Sequence, residues 1–185
     1  MIFAAAADKT LMKKLSAYEI ALAALACAIS TVFLTIGIYS AILLFTGYLL
    51  GCIALMMPLA KNSYRGYVLA YVATCILSFI FNVSRFWDLL PFIMFFGLHP
   101  LVNELQLKTK INRWVACALK ALWFDGTMYL IWRFVFAMTT TIPFVDKYII
   151  PILLIGGSLF FIAYDYAMYK WRAAVNSLVN RITKK

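Results

Sequence analysis

Six long apolar runs, each closed by a short polar break, restrict this chain more than any other feature of it. They fall at about 17–37, 40–60, 66–83, 88–104, 113–138 and 148–171, and a transmembrane helix needs about 20 mainly apolar residues. Water cannot be the solvent for such a pattern. The chain is 65% hydrophobic and 13% charged, against about 45–50% and about 25% for an average soluble domain. Even a ~150-residue soluble domain buries only ~70% of the surface that its unfolded chain exposes. The expected fold class is therefore all-α: a polytopic membrane protein with six transmembrane helices in one bundle, in contact with a lipid bilayer.

The breaks are Gly37-Ile38-Tyr39-Ser40, Lys61-Asn62-Ser63-Tyr64-Arg65, Asn82 to Asp88, Asn103 to Arg113 and Thr139 to Lys147. The first is the weakest, so 17–60 also reads as one bent hairpin, and the fourth run is short for a full crossing. No period of 20–50 residues repeats. One domain results, with segments 1–16 (N-terminal), 17–171 (transmembrane) and 172–185 (basic C-terminal tail).

Six spans place both termini on one side, and the excess of Lys and Arg in cytoplasmic loops tells which. With cytoplasmic termini, 13 of the 17 basic residues face inward: Lys9, Lys13, Lys14, Lys61, Arg65, Lys108, Lys110, Arg113, Lys170, Arg172, Arg181, Lys184 and Lys185. Arg85 and Lys147 face outward, and Lys120 and Arg133 lie within the fifth run. The same asymmetry explains the net charge of +10 without nucleic acid, whose binding needs a basic face in water. The tail from Trp171 to Lys185 sets Val175, Leu178, Val179 and Ile182 among basic residues, as an amphipathic helix on an anionic leaflet would. The first run lacks an AxA-type cleavage site and reads as a retained span, and Met12-Lys13-Lys14 reads as an alternative start.

Little in the chain supports catalysis. Cys27, Cys52, Cys75 and Cys117 lie inside apolar runs with no CxxC pair, which indicates neither a disulfide framework nor a zinc site. His99 is the single histidine, so neither a multi-histidine metal centre nor a serine, cysteine or metal hydrolase can be assembled. There is no GxxxxGK[ST] and no HExxH. Asp125 and Asp165 on consecutive spans match half of an intramembrane aspartyl protease pattern, in Tyr164-Asp165, but the GxGD half is missing. No enzyme, cofactor or metal is expected.

Ionisable residues inside a membrane are costly and mark candidate sites. At ~1.5 Å rise per residue, Lys120 (~10 Å), His99 (~8 Å) and Asp165 (~9 Å) share a level above the inner ends of spans five, four and six. A buried Lys120–Asp165 pair beside His99 is expected, either as glue between spans or as a functional cluster. Asp125 lies deeper, ~18 Å up, without a cation at its depth, and would be protonated or bonded to a ligand or water. At the outer level, ~30 Å up, Arg133 joins Arg85, Trp87, Asp88, Asn82 and Tyr129. Arginine captures carboxylate or phosphate and the rings could stack on a flat solute. These residues form either a binding pocket for a small polar or anionic solute, or an aromatic belt with an Arg133–Asp88 ion pair. Arg133 and Asp88 are expected to face the bundle interior, because fixed charges exposed to lipid are costly.

Ala17, Ala21, Ala24 and Ala28 fall on one stripe of the first helix. Small residues let helix backbones approach closely, so the stripe packs either within the bundle or against another subunit, with Cys27 and Ser30 extending it. Six spans in under 200 residues, termini inside, and this AxxxA stripe together resemble the substrate-binding S components of energy-coupling factor (ECF) vitamin transporters. The resemblance implies capture of a vitamin or similar micronutrient on the outer side. It also implies docking through the alanines onto a membrane coupling subunit that carries two ATPase subunits, followed by toppling. The 37–40 connection is too short for the ordered lid loop of many members. A stand-alone small-solute permease would show an internal repeat or broken helices, neither evident in the sequence. A membrane scaffold or assembly protein would leave the outer charges merely paired.

Overall fold

A computed structural model describes residues 15–40, 42–109, 111–135 and 143–182. Lys9, Lys13, Lys14, Lys110, Lys184, Lys185 and the break at 139–142 lie outside these. The described residues are all-helical apart from turns: α1 (Ala17–Tyr39), α2 (Leu44–Leu59), α3 (Tyr64–Phe81), a 3₁₀ segment (Val83–Leu89), a π segment (Phe92–Phe96), α4 (His99–Lys108), α5 (Arg113–Phe134), α6 (Pro143–Pro151), a second π segment (Ile152–Gly157) and α7 (Ser158–Ile182). Among the described residues three helices are long and apolar enough to cross a membrane: Ala17–Tyr39, Tyr64–Phe81 and the continuous Lys147–Ile182. A bent pair around residue 90 gives up to a fourth. The helices are thus of unequal length, and not every expected span is matched by a helix of crossing length. The run at 40–60 forms a helix of only 16 residues, ~24 Å long, against a hydrocarbon core of ~30 Å.

The first break is a tight hairpin. A capping box opens α1, with Ser16 Oγ accepting from Glu19 N at 3.2 Å and Ser16 N donating to the Glu19 carboxylate at 2.8 Å. The helix then runs through the predicted break to Tyr39. Returning as α2, the chain crosses α1 where Gly47 meets Gly37. A methyl group added at Gly47 would lie 2.7 Å from the Phe33 carbonyl oxygen and 2.9 Å from Gly37 Cα. Gly51, one turn on, packs on Ser30 and Leu34. The face of α1 in this contact carries Ser30, Leu34 and Gly37, all buried. Cys27 and Ser30 therefore face inward and do not extend the alanine stripe as expected: they lie about a quarter and about two-fifths of a turn away from it, on the side that α2 and α3 cover.

Where a loop was expected at Asn82–Asp88, the chain continues as the 3₁₀ segment and then bends by 47° into the segment beginning at Phe92. Pro91 supplies no backbone N–H, and the π turn after it leaves carbonyls without their helical donors. In a membrane such groups must be satisfied by protein. Tyr71 Oη donates to the Ile93 carbonyl at 2.6 Å and Cys52 Sγ to that of Phe96 at 3.0 Å. Tyr67 Oη donates to the Gly97 carbonyl and Tyr48 Oη to that of Asp88. Side chains from α2 and α3 thus hold the broken helix in place. The sequence shows no broken helix; among the described residues there is one here, and a π segment at Ile152–Gly157, beside Pro151, Gly156 and Gly157, loosens the ladder of a helix that stays continuous.

Phe95 is the centre of the core. It is fully buried and meets Trp123, Phe124 and Phe161 edge-on at centroid distances of 4.8, 5.0 and 5.9 Å, a favoured aromatic geometry. The final helix differs from expectation too. The 36 residues from Lys147 to Ile182 extend ~54 Å, with no break at Trp171. The tail continues the helix and packs in part on the bundle: Val175 and Val179 are buried, and Lys61 Nζ donates to Asn180 Oδ1 at 3.0 Å. Half of its apolar stripe is used against the bundle, while Leu178 and Ile182 stay 55% and 67% exposed. Lys61, Lys108, Glu104 and Arg172 gather at this basic end, while Arg85 and Arg133 stand at the opposite one.

Candidate functional site

Three groups of residues matter. The first is the stripe on α1. Ala17, Ala21, Ala24 and Ala28 are all exposed, while Leu22, Ala23, Ala26 and Cys27 are buried. The bundle does not use this stripe for its own packing, and it leaves a small-residue face open.

The second group is at the opposite end to the tail, and its members differ widely in exposure. Asn82 is fully buried, donating through Nδ2 to the Ser78 carbonyl at 2.7 Å and to Thr35 Oγ1 at 3.3 Å. It fastens the end of α3 to α1. Arg85 is exposed, its Nη1 donating to the Ile38 carbonyl at 3.0 Å and its guanidinium 5.8 Å from the Tyr39 ring centroid. It thereby covers the C-terminus of α1, where free carbonyls attract a cation. Trp87 and Tyr129 are exposed and Asp88 is half-buried. Arg133 is exposed, contrary to the expected interior orientation, and no Arg133–Asp88 salt bridge is found among the described residues. Near the end of α5, a long side chain can hold its charge at the membrane boundary without turning inward.

Asp125 lies on α5 between these ends and is 7% exposed. Ser158 Oγ donates to its Oδ2 at 2.8 Å. Its Oδ1 is buried without a hydrogen-bond partner, and a methyl group at Gly157 would come within 2.6 Å of it. The second π segment and its glycines leave room for this carboxyl.

At the basic end the expected cluster comes together. Lys120 Nζ donates to Asp165 Oδ1 and to Asn103 Oδ1, both at 2.7 Å. His99, fully buried, places Nε2 3.0 Å from the same Asp165 oxygen, but off the direction of a hydrogen bond. Helical rise alone put these three at one level; the packing of α4, α5 and α7 turns them toward each other. A second pair was not visible in the sequence. Arg172 donates Nε and Nη2 to the Glu104 carboxylate at 2.6 and 2.9 Å, a two-pronged contact with Glu104 nearly fully buried. The only signal for it was a lone acidic residue closing the fourth apolar run. Both networks line one cavity of about 620 Å³ between α4, α5 and α7, within the range of about 300–1,000 Å³ usual for small-molecule pockets. Among the described residues no cluster of His, Cys, Asp and Glu could hold a metal ion.

No family model matches this chain, nor does any curated protein or solved structure match it.

Proposed function

We propose that this chain is the solute-capturing membrane subunit of an ECF-type ATP-driven importer for a vitamin or similar micronutrient. In that role it is not itself an enzyme, and both its termini are cytoplasmic. The observation that carries the reading is the alanine stripe of α1, exposed along its length while the adjacent face is buried. Helices in lipid associate by close packing of small residues, so a partner helix from a coupling subunit fits there. Energy then comes from two ATPase subunits on that partner. Solute is taken at the end bearing Arg133, Trp87 and Tyr129, whose exposed guanidinium and rings suit an anionic or planar molecule.

The test is substitution of Ala21 and Ala24 by Trp, read as co-purification with the ATPases and as solute uptake in cells. Both are expected to be lost while the melting temperature of the isolated chain stays unchanged, because neither alanine packs in the bundle. Retained uptake would refute the reading. A stand-alone permease is favoured by one observation, the helix broken between Leu89 and Phe92, since transporters of that kind build their sites from discontinuous helices. Solute accumulation by the isolated chain in liposomes would establish it instead.

A further inference from the structure

The cavity at the basic end lies opposite the proposed solute end, and its charges do not cancel. Among the described residues its ionised lining is Lys120, Arg172 and Arg113 against Asp165 and Glu104: three cations and two carboxylates, a surplus of one positive charge. Lys120 is engaged by Asp165 and Arg172 by Glu104. Arg113 has no carboxylate partner among the described residues; its guanidinium rests 5.8 Å from the Tyr169 ring centroid. It is also the first residue of α5, where the helix dipole favours an anion. The unmatched cation therefore stands at the mouth of the cavity, with the partly exposed guanidinium of Arg172 farther in.

The walls on the α5 and α7 side are of another kind. Trp114, Ile162 and Tyr166 line the cavity and are 81%, 52% and 57% exposed. In a bilayer these surfaces meet acyl chains. The cavity thus joins a cationic polar interior to an apolar side opening at one end of the bundle.

We infer that this cavity binds the headgroup of an anionic phospholipid, with its phosphate at Arg113 and Arg172 and its acyl chains leaving between α5 and α7. Basic pockets between helices bind anionic headgroups by this chemistry, and arginine holds phosphate by paired donors. A zwitterionic lipid brings its own cation and gains nothing from the surplus charge. The inference does not rest on the transporter reading, since a subunit, a permease and a scaffold would all hold such a lipid.

The experiment is native mass spectrometry of the full chain in detergent, titrated separately with phosphatidylglycerol, phosphatidylcholine and inorganic phosphate. Melting temperature is followed in parallel. One phosphatidylglycerol is expected to remain bound, at least fivefold more tightly than phosphatidylcholine. Arg113→Gln, an exposed change that leaves the fold intact, should abolish that preference. Cys117→Phe, which fills the cavity, should remove the bound lipid. Equal retention of the two lipids, or an Arg113→Gln protein that keeps the preference, would overturn the inference. Inorganic phosphate raising the melting temperature as much as phosphatidylglycerol would overturn the lipid in favour of a soluble phosphate compound.

Discussion

Replacing Asp165 by Leu tests the buried charge cluster directly. The ammonium of Lys120 sits on a side chain only 7% exposed, with Asp165 Oδ1 and Asn103 Oδ1 as its acceptors at 2.7 Å. Removing the carboxylate leaves a buried cation with the neutral Asn103 oxygen and a histidine that supplies no charge of the right sign. Breaking a buried pair from one side costs about 3–5 kcal/mol. Asp165 is 23% exposed and lines the cavity, so water can reach the orphaned charge and the loss should fall near 3 kcal/mol. That corresponds to about a hundredfold in the unfolding equilibrium, at about 1.4 kcal/mol per decade. Removing both charges, as in Lys120→Met with Asp165→Leu, leaves no orphan, and such replacements are often neutral or stabilising by about 1–4 kcal/mol. The double variant should therefore recover the wild-type value or exceed it. Equilibrium unfolding in mixed micelles, followed by tryptophan fluorescence, measures both. A single variant within about 0.5 kcal/mol of wild type, or a double variant as unstable as the single, would refute the reasoning.

Other outcomes follow from the same contacts. Gly47→Ala should destabilise by about 1–3 kcal/mol, because its methyl group meets the backbone of Phe33 and Gly37. Gly51→Ala, which meets only side chains at 3.1 Å or more, should cost less in the same unfolding assay. Gly157→Ala should destabilise through its clash with Asp125 Oδ1, and the loss should shrink in an Asp125→Ala background, a coupling that a double-mutant cycle reads. Ending the chain after Trp171 should lower the melting temperature markedly. It strips Glu104 of Arg172 and uncovers the surface that Val175 and Val179 bury, each apolar side chain contributing about 1.5–3 kcal/mol. A tail that merely lay on a leaflet would leave the melting temperature where it was.

Several errors of sequence reading share one cause. On α1 the stripe Ala17-Ala21-Ala24-Ala28 and the face holding Cys27, Ser30 and Gly37 are both made of small residues at helical spacing. Periodicity identifies such faces but does not say which one a neighbour will cover. Gly47 and Gly51 on α2 carry the same small-residue spacing, and their contact with Gly37 and Ser30 assigns the inner face. The tail is ambiguous in the same manner: Val175, Leu178, Val179 and Ile182 mark an apolar stripe equally suited to a membrane surface or to a bundle, and only Val175 and Val179 are buried.

What the chain settles by itself is local: an all-helical architecture rich in apolar segments, and the common depth of His99, Lys120 and Asp165. These follow from side-chain polarity and from a fixed rise per residue. Tertiary structure alone decided that Arg172 meets Glu104 across 68 residues, that Arg133 turns outward, and that two ion networks enclose one cavity. Those outcomes depend on how helices rotate and cross, which is set by packing between distant segments.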